Sequence, residues 1–143
     1  MKVCTLFLAV FSLMLFSGCE KIDSLTDAAK DKVHLPLAVS SLKQMSYFLR
    51  EYSDQHGSYP DSLEDLRTSG VMSEKEFEKL SQCTAGGEKM KFAYRPGFSA
   101  DSKPGTIVIH TPKPIDGSMA YLCVDGSVET SDEETFRKLI RSK

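Results

Sequence analysis

Apolar residues recur along the first half of this chain with a helical period and along the second half with a strand period, and the switch falls near Met90. Ala38, Leu42, Met45, Leu49 and Tyr52 follow one another at alternating four- and three-residue steps, with Val39 and Phe48 widening the stripe. This spacing lays all seven on one side of a helix and predicts an amphipathic helix of about 20 residues, packed by that stripe against a sheet. Pro36 marks its start, because a first-turn proline gives up an N–H that has no intrahelical partner. Gly57, after His56, marks its end. Tyr59-Pro60 then forces an extended exit. Asp61 with Glu64 opens a short helix presenting Leu63 and Leu66 and closed by Gly70, and Ser73 with Glu76 opens a second through Phe77 and Leu80.

Beyond the switch, Met90, Phe92 and Tyr94 alternate with polar or small residues, as in a half-buried strand. A Gly/Pro loop from Arg95 to Gly105 separates it from TIVIH, a β-branched run that reads as a central strand. TPKPIDGS connects this to MAYLCV, which reaches SVET through Asp125-Gly126. Asp-Gly between two strand segments predicts a type I′ hairpin, whose two central residues both take positive φ. Ser131 and Glu134 cap a closing helix through Phe136, Leu139 and Ile140. The predicted fold class is α+β. A long amphipathic helix packs on a three- to four-stranded antiparallel sheet, with short helices after the long one and a helix at the C-terminus.

The N-terminal segment follows neither period. Lys2 precedes a nearly unbroken apolar run from Val3 to Phe16, then Ser17, Gly18 and Cys19. This is the order of a secretory signal, and the run is shorter than the ~20 residues a membrane span needs. The segment LFSGC resembles the lipobox of bacterial lipoproteins. Ser17, Gly18 and Cys19 match, while Phe16 stands where a smaller aliphatic residue is usual. The resemblance implies cleavage before Cys19 and acylation of its thiol with two or three chains, enough for stable anchoring. The competing reading is an ordinary secretory signal that leaves Cys19 as a bare thiol. Glu20 occupies the place where some inner-membrane lipoproteins carry aspartate, which by analogy leans toward the outer membrane. The expected organisation is a signal peptide over 1–18, a lipidated cysteine and polar tether over 19–34, and one globular domain over 35–143.

Composition narrows the partners. The chain has 18 basic and 20 acidic residues, a formal net charge of −2 and no basic run, which argues against nucleic acid or anionic lipid as its main partner. With Cys4 in the signal and Cys19 assigned to lipid, Cys83 and Cys123 are two thiols in an oxidising compartment. A disulfide between them is expected. The alternative is an unpaired pair, with Cys123 buried in a strand as a small hydrophobe. No CxxC pair or Cys/His cluster points to redox chemistry or structural zinc. His34 falls in the tether, His56 at a helix end that the macrodipole favours, and His110 at a strand end. There is no GxSxG elbow and no ordered Ser/His/Asp set, so no catalytic residue and no cofactor are assigned, and the chain is read as non-enzymatic.

The stretch LREYSDQHGSYPDSLEDL, from Leu49 to Leu66, resembles the globular part of type IV pilin-like proteins, and most nearly the major pseudopilins of type II secretion systems. YLCVDGSVET, followed by a helix, resembles the A-D-G-H-V strand turn near the end of pilin-like proteins. Those carry a histidine at a shorter spacing before the Asp-Gly pair. Here the nearest is His110, with fourteen residues before Asp125, so that signature is not met. The likeness spans roughly residues 36 to 140, and it departs in having a lipobox in place of the prepilin leader and polymerising helix. It implies a tethered head that acts by protein contact in the cell envelope, accessory to a type II secretion or type IV pilus-like apparatus. Major pseudopilins often bind calcium near the C-terminus, which directs attention to Asp125, Glu129, Asp132 and Glu133. Those four do not form a Gly-punctuated loop able to converge six to eight oxygens, and no metal ligand is assigned. The runner-up is an envelope binding module for a small ligand or Ca²⁺ unrelated to secretion.

Overall fold

The computed structural model describes residues 22–142, with side chains from 33 onward. Two compact units divide the chain, Met1–Lys30 and Asp31–Lys143. Of the first, only helical backbone from Ile22 is described. The expected signal peptide and Cys19 lie outside the described residues.

Helix α1 runs Ile22–His56, so Pro36 lies inside it and not at its start, and His34 is on the helix and not in a tether. One proline removes a single i→i−4 bond, and residues 22–35 hold no glycine or second proline to stop the helix on the N-terminal side. The apolar stripe behaves as its period requires, with Ala38, Leu42, Met45 and Leu49 buried. Gly57, at φ 80°, ends the helix by donating its N–H to Ser53. α2 (Glu64–Thr68) and α3 (Glu74–Leu80) follow. The Ser73/Glu76 capping box forms as expected, whereas α2 has no Asp61 cap. Instead the Asp65 carboxylate accepts the Ser62 N–H at 2.8 Å.

Two antiparallel sheets follow. β1 (Gln82–Ala85) and β2 (Glu88–Lys91) form a hairpin through Gly86 and Gly87, both at positive φ. β3 (Ala93–Tyr94), β4 (Ile107–His110), β5 (Ser118–Cys123) and β6 (Val128–Asp132) make a four-stranded sheet in that order. The single strand expected over Met90, Phe92 and Tyr94 is therefore split between the two sheets. At the break, buried Phe92 donates its N–H to Ser81. β5 reaches β6 through Val124–Gly126. Cys123 N–H bonds to Ser127 O and Gly126 N–H to Cys123 O. Only Gly126 has positive φ in this turn, so it is a three-residue bulged connection and not the expected type I′ turn. α4 (Glu133–Arg141) closes the chain, and its cap is Asp132, one residue beyond the expected Ser131.

Alternation in β5 divides the core. Ala120 and Leu122 face a large cluster with α1, Leu66, Met72 and Phe92, while Met119, Tyr121 and Cys123 face a small one with Phe136 of α4. A register shift between Ile107 and Ile109 places Val108 and Ile109 in the large cluster and Ile107 in the small one. This partition separates the two cysteines of the expected disulfide. No bond joins Cys83 to Cys123, because Cys83 sits in the large cluster and Cys123 in the small one. Among the described residues no helix is long and apolar enough to cross a membrane.

Candidate functional site

The side of α1 turned away from the large cluster is not uniformly polar. Val33, Leu37 and Tyr47 are the exposed large hydrophobic residues of the described chain, Tyr47 at 74% of its full accessibility. At helical spacing the three fall on one line, opposite Leu42 and Leu49. Where that line nears the C-terminal half of α1, a groove of 590 Å³ opens between the helix and the β5–β6 turn. Lys43, Tyr47 and Arg50 form its helical wall, and Asp125, Ser127 and Val128 form part of the facing wall. Neither Lys43 nor Arg50 takes part in an ion pair with a described residue. The groove therefore offers two cations without an ion-pair partner among the described residues beside an exposed tyrosine. Tyrosine and arginine are residue types that carry a large share of binding energy at protein interfaces.

The floor and far wall are rigidly made. Tyr59, from the G-x-Y-P turn, donates its hydroxyl to Val124 O at 2.9 Å, and burial raises its pKa. Asp125 accepts Ser127 Oγ at 2.6 Å and Ser127 N–H at 2.9 Å through one oxygen, and Gly105 N–H at 3.2 Å through the other. The Ser127 hydroxyl, foremost among these donors, holds the Asp125 carboxyl below its ordinary value. The aspartate is thus held ionised within the turn, one negative charge facing the two cations of the opposite wall.

The residues weighed from sequence fall elsewhere. His56 stacks on Tyr52, ring centroids 4.1 Å apart, with Nδ1 3.0 Å from Tyr52 O in the last helical turn. His34 lines a separate 320 Å³ hollow with Leu37, Lys79, Cys83 and Lys89. Burial pushes the Cys83 thiol up to about 11, which keeps it protonated and a poor nucleophile. His110 lies under α4, 4.9 Å from the Phe136 ring, with Nδ1 donating to Thr111 O at 2.8 Å, and burial lowers its pKa. Of the acidic residues weighed for calcium, Glu129 accepts the Tyr121 hydroxyl, Asp132 caps α4 through Thr135, and Glu133 pairs with Arg137. The structure brings none of them to Asp125, and among the described residues no three His, Cys, Asp or Glu side chains are grouped to hold a metal ion.

A smaller hollow of 250 Å³ lies between α2 and α3, lined by Asp61, Leu63, Phe77, Ser81, Lys91 and Tyr94. The Lys91–Glu64 ion pair at 3.1 Å stands at it, and Tyr94 donates to Pro60 O at 2.6 Å. The buried Ser81 Oγ has no hydrogen-bond partner among the described residues.

Sequence reasoning found the scaffold of the groove but missed Lys43, Tyr47 and Arg50. The signal for them was the presence of Val33, Leu37 and Tyr47 off the buried stripe, on the side of the helix where polar residues are expected. Comparison with protein-family models, with curated proteins and with solved structures returned no match.

Proposed function

We propose that this protein is a cell-envelope lipoprotein, anchored through acylated Cys19, whose pilin-like head acts by protein–protein contact and not by catalysis. The observation that carries the reading is the outer side of α1: exposed Tyr47 flanked by Lys43 and Arg50, which have no ion-pair partner among the described residues, above an open groove. An exposed tyrosine in line with exposed Val33 and Leu37, beside Lys43 and Arg50, suits a partner's surface. The lipobox-like LFSGC sequence supports the anchor. The order of a long helix, G-x-Y-P turn, antiparallel sheet and terminal helix supports the likeness to pseudopilin heads, though fold by itself assigns no function. The partner is an envelope protein of a type II secretion or type IV pilus-like apparatus, and outer-membrane attachment is favoured by Glu20.

The test is isolation of the membrane-anchored protein in mild detergent with identification of co-purifying proteins, alongside palmitate labelling. Recovery of a secretion or pilus component that disappears with Tyr47→Ala is expected. Recovery of none overturns the assignment, and palmitate label persisting in Cys19→Ser overturns the anchor. A small-ligand reading rests on one observation, the unpartnered Ser81 hydroxyl at the 250 Å³ hollow. A polar metabolite that shifts the melting temperature of wild type but not of Ser81→Ala would establish it.

A further inference from the structure

β6 is the terminal strand of the four-stranded sheet, with β5 on one side and no strand on the other among the described residues. The hydrogen bond from Cys123 N–H to Ser127 O fixes which backbone groups are engaged. In an antiparallel pair, bonded and non-bonded positions alternate. With Leu122 opposite Val128 and Ala120 opposite Thr130, those two β6 residues turn their N–H and C=O groups outward. Their side chains share the α1 side of the sheet, where Val128 packs against the large cluster and lines the 590 Å³ groove. Glu129 lies on the other side, bonded to Tyr121 beneath α4.

We propose that β6 accepts an extended segment of a partner protein as a fifth strand, and that the segment carries acidic side chains on the face turned toward α1. This rests on the reading of the head as a protein-contact module and names the chemistry of its partner. The free edge supplies main-chain bonds and the groove beside it supplies selectivity, the division of labour of strand addition. Charge decides the occupant. Alternate side chains of an added strand meet the groove walls, where Lys43 and Arg50 have no ion-pair partner among the described residues. These two cations outnumber the one carboxylate, Asp125, which Ser127 and Gly105 hold in the turn. An acidic residue entering there gains two cations, and a basic one meets two like charges. The other side of the same edge presents Glu129, so basic or neutral residues suit the alternate positions of the incoming strand. Self-pairing of two β6 edges brings their glutamates into proximity and is disfavoured on the same ground.

The test uses the full chain purified from its envelope fraction and a ten-residue peptide alternating Glu and Thr. Controls are a Lys/Thr peptide and a Glu/Thr peptide N-methylated at every second residue. The first peptide is expected to bind and to slow hydrogen exchange at the Val128 and Thr130 amides. Lys43→Glu combined with Arg50→Glu, both exposed, is expected to weaken it by at least about tenfold at low salt, and the methylated peptide is expected not to bind. Slowed exchange confined to α1, equal binding of the Lys/Thr peptide, or a protein already dimeric through β6 overturns the proposal. Palmitate labelling of the same preparation keeps the two readings apart. Acylated protein with an unprotected edge sinks strand addition alone, and a protected edge without acylation sinks the anchor alone.

Discussion

The two faces of the four-stranded sheet are covered by very different means. On one, α1 lays Ala38, Leu42, Met45 and Leu49 over Val108, Ile109, Ala120 and Leu122, with Leu66, Met72, Phe77 and Phe92 closing the sides. On the other, nine-residue α4 covers Ile107, Met119, Tyr121 and Cys123 with one fully engaged side chain, Phe136, helped by the partly buried Leu139 and Ile140. The first face is held by many interlocked elements and so rises and falls with the whole fold. The second is one short helix at the end of the chain, whose release leaves the rest of the core intact. Stability is thus distributed unevenly, and the weaker face is the one that carries the titratable His110.

Truncations separate the faces most sharply. Leu42→Ala is expected to cost about 2–5 kcal/mol and lower the urea midpoint of the whole domain, since a fully buried side chain leaves a cavity among packed neighbours. Phe136→Ala is expected to cost less globally, about 2 kcal/mol, because α4 undocks before the sheet fails. Its signature is rapid amide exchange confined to α4, and a fall in protection equal across both faces would erase the comparison. Removing the Ser73 cap tests a third element that belongs to the strong face. Ser73→Ala is expected to cost about 1 kcal/mol, read as a shift in urea midpoint, with α4 exchange unchanged.

Acid should act on the weak face first. Burial holds the His110 pKa below its ordinary value, with Arg95 adding to the effect and the Thr111 carbonyl opposing it. The folded protein then binds fewer protons than the unfolded chain across the interval beneath the ordinary histidine value. The stability from neutral His110 is present above about pH 6.5 and is lost as pH falls through that interval. Around the ring stand Phe136 of α4, Tyr121 across the strand pair and Ala93 on the other neighbour, and among the described residues no carboxylate acts on it to reverse the sign. Asp125 and Asp132, with lowered pKa values, contribute stability that persists until the pH drops below the ordinary carboxylate range, a separate and more acidic window. Protection of α4 amides, corrected for the intrinsic exchange rate, is expected to fall as the pH drops below about 6.5, and His110→Asn to flatten that dependence. The smallest effect belongs to the exposed Lys138–Glu134 pair on α4. Lys138→Ala is expected to leave the urea midpoint within error.

How far the sequence disclosed this molecule follows from what each signal depends on. The buried stripe of α1, the Ser73/Glu76 cap and the β-branched run at Ile107 to His110 rest on local periodicity and local chemistry, and they were legible. Pro36 misled because a favourable first-turn residue is also tolerable inside a long helix that has no other breaker. Asp132 displaced Ser131 as the α4 cap because two good capping residues stand side by side and the register of β6 chose between them. The β1–β2 hairpin was not read, since β2 (EKMK) is polar apart from Met90 and its Gly86-Gly87 turn had no apolar strands to flank it. The separation of the two cysteines has a tertiary cause. Cysteine count and compartment cannot tell which face of a sheet a strand residue occupies, and here the bulge in β4 and the alternation of β5 send Cys123 away from Cys83. The groove was invisible for the same kind of reason, since Tyr47 and Val128 become neighbours only after folding.

The hydroxyl of Tyr59 on Val124 O joins positions 65 residues apart, and it closes the same ring of contacts that covers the stripe of α1. That ring has a consequence for the order of events during synthesis. Leu42, Met45 and Leu49 leave the ribosome long before Leu122 and Val124, and in the interval only the side elements, from Leu63 to Leu80, are available to cover them. Loop closure over such a distance delays folding until the last strands exist. A chain built this way completes its core only once β5 has been made, so its folding follows its synthesis and does not keep pace with it.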